Sequence, residues 1–355
     1  MSVLVAVVLG ASVPTASADE RANVRVMTQN LYQGTELANT LAATTQQQFL
    51  LGVAADYTNV IATNFPERAD AIASEIARSR PALVGLQEVA LWQTQALDQT
   101  GKPTGPWTVS YDFLQILLDR LAAHGLHYAT VSVRTDFTVA GVGLFATGLK
   151  GVSLTERLAI LARTDLPASR LRLTNPQQAG YQAFVPVKTL TGTLPIGSGW
   201  LSVDVTTDET TFRFITTHLT AITLAIGVQA QQMQELLAGP AATTLPVVVA
   251  GDFNSTPSGP AYAEALSAGF ADQWIVARGS DPGFTAFQVL PTITNPQSNL
   301  SVRIDYVLAR GPIAAEGAHL VGATPAARTP SGLWPSDHAG LVAALETEGG
   351  HGHDE

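Results

Sequence analysis

Apolar residues recur along the chain in short runs, and many of these runs end on a polar residue drawn from a narrow set. Runs of strand length fall at residues 24–29, 82–87, 159–162, 200–205, 211–217, 246–250, 303–308 and 340–345. Helical spacing appears between several of them. Residues 66–78 place Ala69, Ile72, Ala73, Ile76 and Ala77 on one stripe, with Pro66 near the helix start, where its missing N–H costs nothing. Residues 111–123 repeat the pattern with Leu114, Leu117, Leu118 and Leu121, and residues 229–237 suit a shorter helix. Residues 36–64, rich in Ala, Thr, Gln and Asn, predict an irregular helical insertion. Residues 102–107, 166–180 and 290–300 predict loops bearing Pro, Gly or Asn. With no long linker and no repeat, one mixed α/β domain is the simplest account.

The ends of the runs carry the chemistry. The stretch VVVAGDFNSTP delivers Asp252 and Asn254, which share one face of an extended chain while Phe253 takes the other. VRVMTQN ends at Asn30, LVGLQE at Glu88 and FRFITTH at His218; VRIDYVL carries Asp305, and PSDHAGLVAAL sets Asp337 and His338 just before a last strand. Taken singly, each has a structural explanation as a turn, a cap, a surface residue or a satisfied core histidine. Asp305, between Ile304 and Tyr306, resists that most, because a carboxylate buried there needs a partner. The joint occurrence behind six hydrophobic runs predicts one shared pocket.

Composition narrows what such a pocket does. The chain has 355 residues, a net charge of −10 and no cysteine. Disulfides and thiolate chemistry are excluded, and an acidic chain has no general attraction for nucleic acid. Hard oxygen ligands suit Mg²⁺, Mn²⁺ or Ca²⁺ rather than structural zinc. A divalent cation beside His–carboxylate pairs fits hydrolysis at phosphorus. Neither a G-x-S-x-G nucleophile elbow nor a phosphate-binding P-loop is found. The opening MSVLVAVVLGASVPTASADE joins an apolar stretch to Ala16-Ser17-Ala18, as a secretory leader would, although no Lys or Arg precedes it. The expectation is a leader over residues 1–18, a domain over 19–346, a solvated tail over 347–355, and a secreted, extracellular protein.

Through TQN, LQE, THL, GDFN, RIDY and SDH, in that order, the chain resembles the endonuclease/exonuclease/phosphatase superfamily from about Asn23 to Leu345. The resemblance implies an α/β four-layered sandwich, two mixed β-sheets packed face to face with helices outside. It implies Glu88 as principal metal ligand, with Asn30 beside it and Asp337 close to the metal. Asp252 would orient or deprotonate the attacking water, and Asn254 would bind the phosphate. His338 would contact the scissile phosphate, polarised by Asp305, while His218 would bind phosphate or protonate the leaving group. The expected activity is Mg²⁺- or Mn²⁺-dependent phosphodiester hydrolysis, first of all a nuclease, with Ca²⁺ an alternative cation. A phospholipid phosphodiesterase resembling sphingomyelinases is the alternative, and a non-catalytic binding protein of the same fold a further one. Ser255-Thr256-Pro257 after GDFN disfavours the 5-phosphatase subgroup. Arg134, Arg157 and Arg163 are candidates for extra phosphate contacts, and residues 101–107 or 284–290 for membrane contact. No stable protein partner is implied, and a monomer is expected.

Overall fold

A computed structural model describes residues 24–190, 192–221 and 226–347. The expected leader and nearly all of the expected tail lie outside these residues. In chain order come β1 (Val24–Asn30), α1 (Ala38–Leu41), α2 (Gln46–Ala62), α3 (Phe65–Ser79), β2 (Leu83–Gln87), β3 (Leu91–Leu97) and β4 (Pro103–Asp112). Next are α4 (Phe113–Ala123), β5 (Tyr128–Phe145), β6 (Gly148–Arg163), β7 (Arg172–Gly180), β8 (Val185–Thr189), β9 (Gly192–Ile196), β10 (Gly199–Thr206) and β11 (Thr211–His218). The rest is α5 (Ile226–Ala238), β12 (Val247–Asp252), α6 (Pro260–Ser267), β13 (Ala271–Asp272), α7 (Gln273–Arg278), β14 (Asp305–Arg310), β15 (Ile313–Val321) and β16 (Gly340–Thr347).

Two sheets stack face to face. The first runs β15-β16-β1-β2-β6-β3-β4, with β5 also paired to β6; the second runs β13-β14-β12-β11-β10-β7. Between them Val26, Leu83, Leu158 and Ile160 meet Leu201, Phe214, Val248 and Val307. Helices cover the outsides. Ile72, Ile76 and Leu117 pack on the first sheet, and Met233 and Leu236 pack on the second. This is the expected four-layered sandwich. Each sheet is mixed because it holds one parallel pair, β1 with β2 and β11 with β12. Those two pairs set the site, since parallel neighbours finish at the same end.

The layers approach closely at Gly85, where an added Cβ would fall 2.3 Å from Thr216 Oγ1 of the opposite sheet. The gap is bridged by polar groups: Gln87 Nε2 donates to Thr216 Oγ1 at 3.0 Å, and Thr28 Oγ1 donates to Gln87 Oε1 at 3.1 Å. Several expectations need correction. Residues 36–64 form α1 and a regular 17-residue α2, capped by Thr45, rather than an irregular insertion. Residues 103–107 open β4 and residues 172–180 are β7, where loops were expected. Both strands are largely exposed edge ribbons, so burial imposes no alternation on them.

Candidate active site

Five strand ends and the loops beside them build the site. β1 ends at Asn30, β2 leads into Glu88, β11 ends at His218 and β12 at Asp252. Register aligns them: Asn30 lies opposite Gln87, His218 opposite Asp252, and Asp252 in turn opposite Asp305 at the start of β14. Asp337 and His338 arrive on the loop before β16, beside residues 285–288; Gln288 N donates to Asp337 O at 2.9 Å and Ala339 N to Thr285 O at 2.8 Å.

The chain bends sharply as it leaves these strands. Tyr32, Glu88 and Asn254 take positive φ of 55°, 53° and 48°. A side chain in that left-handed region costs roughly 1 kcal/mol or more, so surrounding bonds must hold it there. They do. Glu88 Oε1 accepts from Asn30 Nδ2 at 3.0 Å and Oε2 from Gln33 N at 2.7 Å. Asn254 N donates to Asp252 Oδ1 at 2.8 Å, and Tyr32 N donates to Asn30 Oδ1 at 2.9 Å.

Asn30 Nδ2 also donates to Asp252 Oδ2 at 3.1 Å, so one amide ties the end of the first sheet to that of the second. Asp252 Oδ2 lies 3.6 Å from His218 Nε2 and 3.9 Å from His338 Nδ1. His338 Nδ1 donates to Asp305 Oδ2 at 2.8 Å. Ser336 Oγ donates to Asn30 O at 2.8 Å and accepts from His338 N at 3.1 Å, which fixes the loop bearing Asp337. Asn254 Nδ2 donates to Leu219 O at 2.9 Å and meets His218 Nε2 at 3.0 Å. That last contact needs a lone pair on Nε2; a charged ring would turn its Nε2–H to Asp252 instead. All eight residues singled out in the sequence, Asn30, Glu88, His218, Asp252, Asn254, Asp305, Asp337 and His338, meet in this one cluster.

Two supports were not read from the sequence. Glu156, buried on β6, sets Oε1 3.4 Å from His218 Nδ1. It sits at the inward parity of Leu154 and Leu158, and a carboxylate at such a position was the available signal. Arg68 is fully buried and donates to Thr63 O at 2.7 Å, Leu31 O at 2.7 Å, Pro335 O at 3.0 Å and Tyr32 O at 2.9 Å. It clamps the loop after Asn30 to the loop before Asp337. Its place on the apolar stripe of α3, between Phe65 and Ala69, was the clue.

Crowded carboxylates shape the electrostatics. Burial, and then Asp305, raises Asp252 to about 6. Burial, with Glu88 adding to it, raises Asp337 to about 7. For His218 burial pulls downward, but Glu156 and Asp252 outweigh it and lift the imidazole to about 9. His338 is likewise held well above its ordinary value, with Asp305 and Asp337 overcoming burial. Asp305 Oδ1 is buried with no hydrogen-bond donor. This acid-rich, thiolate-free set with an orphaned oxygen fits a hard divalent cation. Atoms of Asp252, Asp305 and His338 lie within 4.8 Å of one another, but a charged imidazole does not ligate metal. Glu88 and Asp337, whose charges act on each other, are the other anionic groups of the cluster. The three arginines considered for phosphate contacts are engaged elsewhere: Arg134 with Asp136, Arg157 with Asp112 at 2.5 Å, and Arg163 with Asp165 at 2.8 Å.

Residues 27–338 match the sequence model of the Endonuclease/Exonuclease/phosphatase family. None of the curated proteins matches the chain. Among solved structures it is similar to an endonuclease/exonuclease/phosphatase of Bacteroides vulgatus, with 17% identity, a TM-score of 0.55, and coverage of 92% of this chain and 99% of that one. One from Beutenbergia cavernae is 20% identical with a TM-score of 0.52, over 91% of this chain and 71% of that one. TDP2 of D. rerio, complexed with single strand DNA product, is 15% identical with a TM-score of 0.50, over 91% and 99%. At these identities the likeness is one of fold.

Proposed function

The chain belongs to the endonuclease/exonuclease/phosphatase family, and on that premise we propose that it is an exported, divalent-metal-dependent phosphodiesterase. The observation carrying the reading is the bridge by which Asn30 joins Glu88 to Asp252, because it sets an anionic ligand beside a carboxylate able to handle water. Glu88 and Asp337 would hold the cation, with Asn30 orienting Glu88. When bound, the metal neutralises non-bridging phosphoryl oxygens and acidifies water. Asp252, at about 6, is ionised at neutral pH and accepts the proton of the attacking water. Asn254 Nδ2 and the far nitrogen of His338 donate to the phosphoryl oxygens, where transition-state charge collects. His218, charged below about 9, returns a proton to the leaving oxygen. Export rests on the apolar N-terminal stretch and the small residues Ala16-Ser17-Ala18 that follow it.

The nuclease version finds its support in the DNA product held by D. rerio TDP2. Against it stands the engagement of Arg134, Arg157 and Arg163 by neighbouring carboxylates, which leaves them poorly suited to follow a polyanion. Hydrolysis of bis(4-nitrophenyl) phosphate with added Mg²⁺ or Mn²⁺, before and after exhaustive chelation, tests the reading. Undiminished turnover in verified metal-free protein refutes the metal. No turnover of any phosphodiester with any divalent cation refutes the function.

A further inference from the structure

An apolar cleft lies two strand positions along β6 from Glu156, the carboxylate beneath His218. Along β6 the side chains of Val152, Leu154 and Glu156 point to one face, since alternate residues share a face. Glu156 supports His218, whereas Leu154 and Val152 line the cleft. Its first wall therefore lies roughly 7 Å from the carboxylate beneath the histidine. On β5 the cross-strand partners of those three residues are Phe137, Val139 and Gly141, and all three line the cleft as well. A second connection runs through the loop after Asn30. Gln33 N holds Glu88, Gln33 O accepts from Trp92 Nε1 at 2.9 Å, and Trp92 forms part of the cleft wall. Helix α2 closes one side with Phe49, Val53 and Tyr57, and the β8–β9 hairpin covers the other with Leu194 and Ile196.

Polar groups in the lining are all turned inward on the protein. Asp56 accepts from Thr35 Oγ1, Asn39 Nδ2, and both the N and Oγ1 of Thr40. Thr189 Oγ1 donates to Gly192 O at 2.8 Å. Such a wall offers a ligand dispersion and desolvation but no unspent hydrogen bond, which suits hydrocarbon and leaves the edges of a nucleobase unanswered. Size agrees. The cleft holds about 90 Å³, less than the roughly 150 Å³ that admits a benzene ring. It takes the first few methylenes of a chain, and the remainder leaves through its open mouth.

We infer that this cleft is the subsite for an alkyl or acyl chain carried by the phosphodiester, so that the substrate is amphipathic, a phospholipid rather than a nucleic acid. The inference rests on the phosphodiesterase reading for the position of the phosphate. Calorimetric titration of dimethyl, diethyl and dibutyl phosphate into the Mg²⁺-loaded protein tests it. Affinity should rise roughly fourfold for each methylene entering the cleft. Val139→Trp or Leu194→Trp, each filling the cleft from a different wall and checked for an unchanged melting temperature, should abolish that gradient. Affinity independent of chain length, or a gradient surviving both substitutions, overturns the subsite. Tighter binding of thymidine 5′-(4-nitrophenyl) phosphate than of dibutyl phosphate assigns the site to nucleic acid and overturns it too. Turnover of bis(4-nitrophenyl) phosphate by the unaltered protein separates the two readings. A gradient without turnover removes the phosphodiesterase and keeps the cleft, and turnover without a gradient does the reverse.

Discussion

Stabilisation by a divalent cation should depend steeply on pH, and the site fixes by how much. Without the cation, Asp252 and Asp337 titrate at about 6 and about 7, both raised above the ordinary 3.8. An acid raised in the folded state binds protons more tightly there than in the unfolded chain. Cation-free protein therefore loses stability from these groups as pH climbs past 3.8 and through about 7. Of the two, Asp337 is the one that would hold the cation, and it must be ionised to do so. At pH 5, two units below Asp337, its ionised form amounts to roughly one in a hundred. Mass action then weakens the cation about a hundredfold relative to pH 8, or ~3 kcal/mol. His218, at about 9, keeps its charge across this window and largely drops out of the difference. With unfolding entropy of ~2.1 cal/mol/K per residue over 355 residues, the difference is worth about 3 to 4 °C. Thermal melts with and without excess Mg²⁺ at pH 5 and pH 8 measure it. An equal Mg²⁺-induced rise at both pH values would refute the assignment of Asp337 to the cation.

Three substitutions probe the rest of the site. Asp305→Asn keeps the shape but removes the charge that holds His338 Nδ1; kcat should fall by roughly two to three orders of magnitude with little change in KM. Near-normal turnover accompanied by a lower melting temperature would make Asp305 purely structural. Glu156→Gln removes the hydrogen-bonding carboxylate that helps hold His218 near 9, so the alkaline limb of the kcat profile should move to lower pH. An unmoved limb would take His218 out of proton delivery. Arg68→Met leaves the carbonyls of Leu31, Tyr32, Thr63 and Pro335 without their donor, and urea unfolding should show a loss of roughly 3–5 kcal/mol. A loss below ~1 kcal/mol would mean that the two loops hold themselves.

The reacting set was legible because strand ends are written in a pattern that burial enforces. Buried strands such as LVGLQ and VVVAGD are apolar or small up to their last residue, so the polar residues at their ends stand out. α3 and α4 were equally plain, found at Phe65–Ser79 and Phe113–Ala123 within two residues of the spacing's boundaries. What burial does not enforce was invisible. The 18 residues of β5 are mostly half-buried or exposed, and polar residues such as Thr130 and Thr138 interrupt any simple pattern. Glu156 and Arg68 failed for a different reason. Each is a charged residue in an apolar frame, and a lone charge reads as surface unless its parity or helical position is checked against its neighbours. The cleft was hidden because its walls come from α2, β3, β5, β6 and the β8–β9 hairpin, distant segments with no common motif.

Strand β1 has a kinetic consequence. It lies inside the first sheet with β2 parallel on one side and β16 antiparallel on the other, and Val24 pairs with Leu345. A chain emerging from the ribosome makes β1 early and its second partner almost last. Until then one edge of a strand that ends up buried stays unpaired, and the long loop that closes it slows folding, as with any topology dominated by distant contacts. Ser336, Asp337 and His338 arrive in the same late segment. The cluster therefore has no working precursor: a nascent chain carries Asn30, Glu88 and Asp252 yet lacks both the imidazole and the loop that pins Asn30 O. Hydrolytic competence would switch on in one event, when β16 docks, and not by degrees during synthesis.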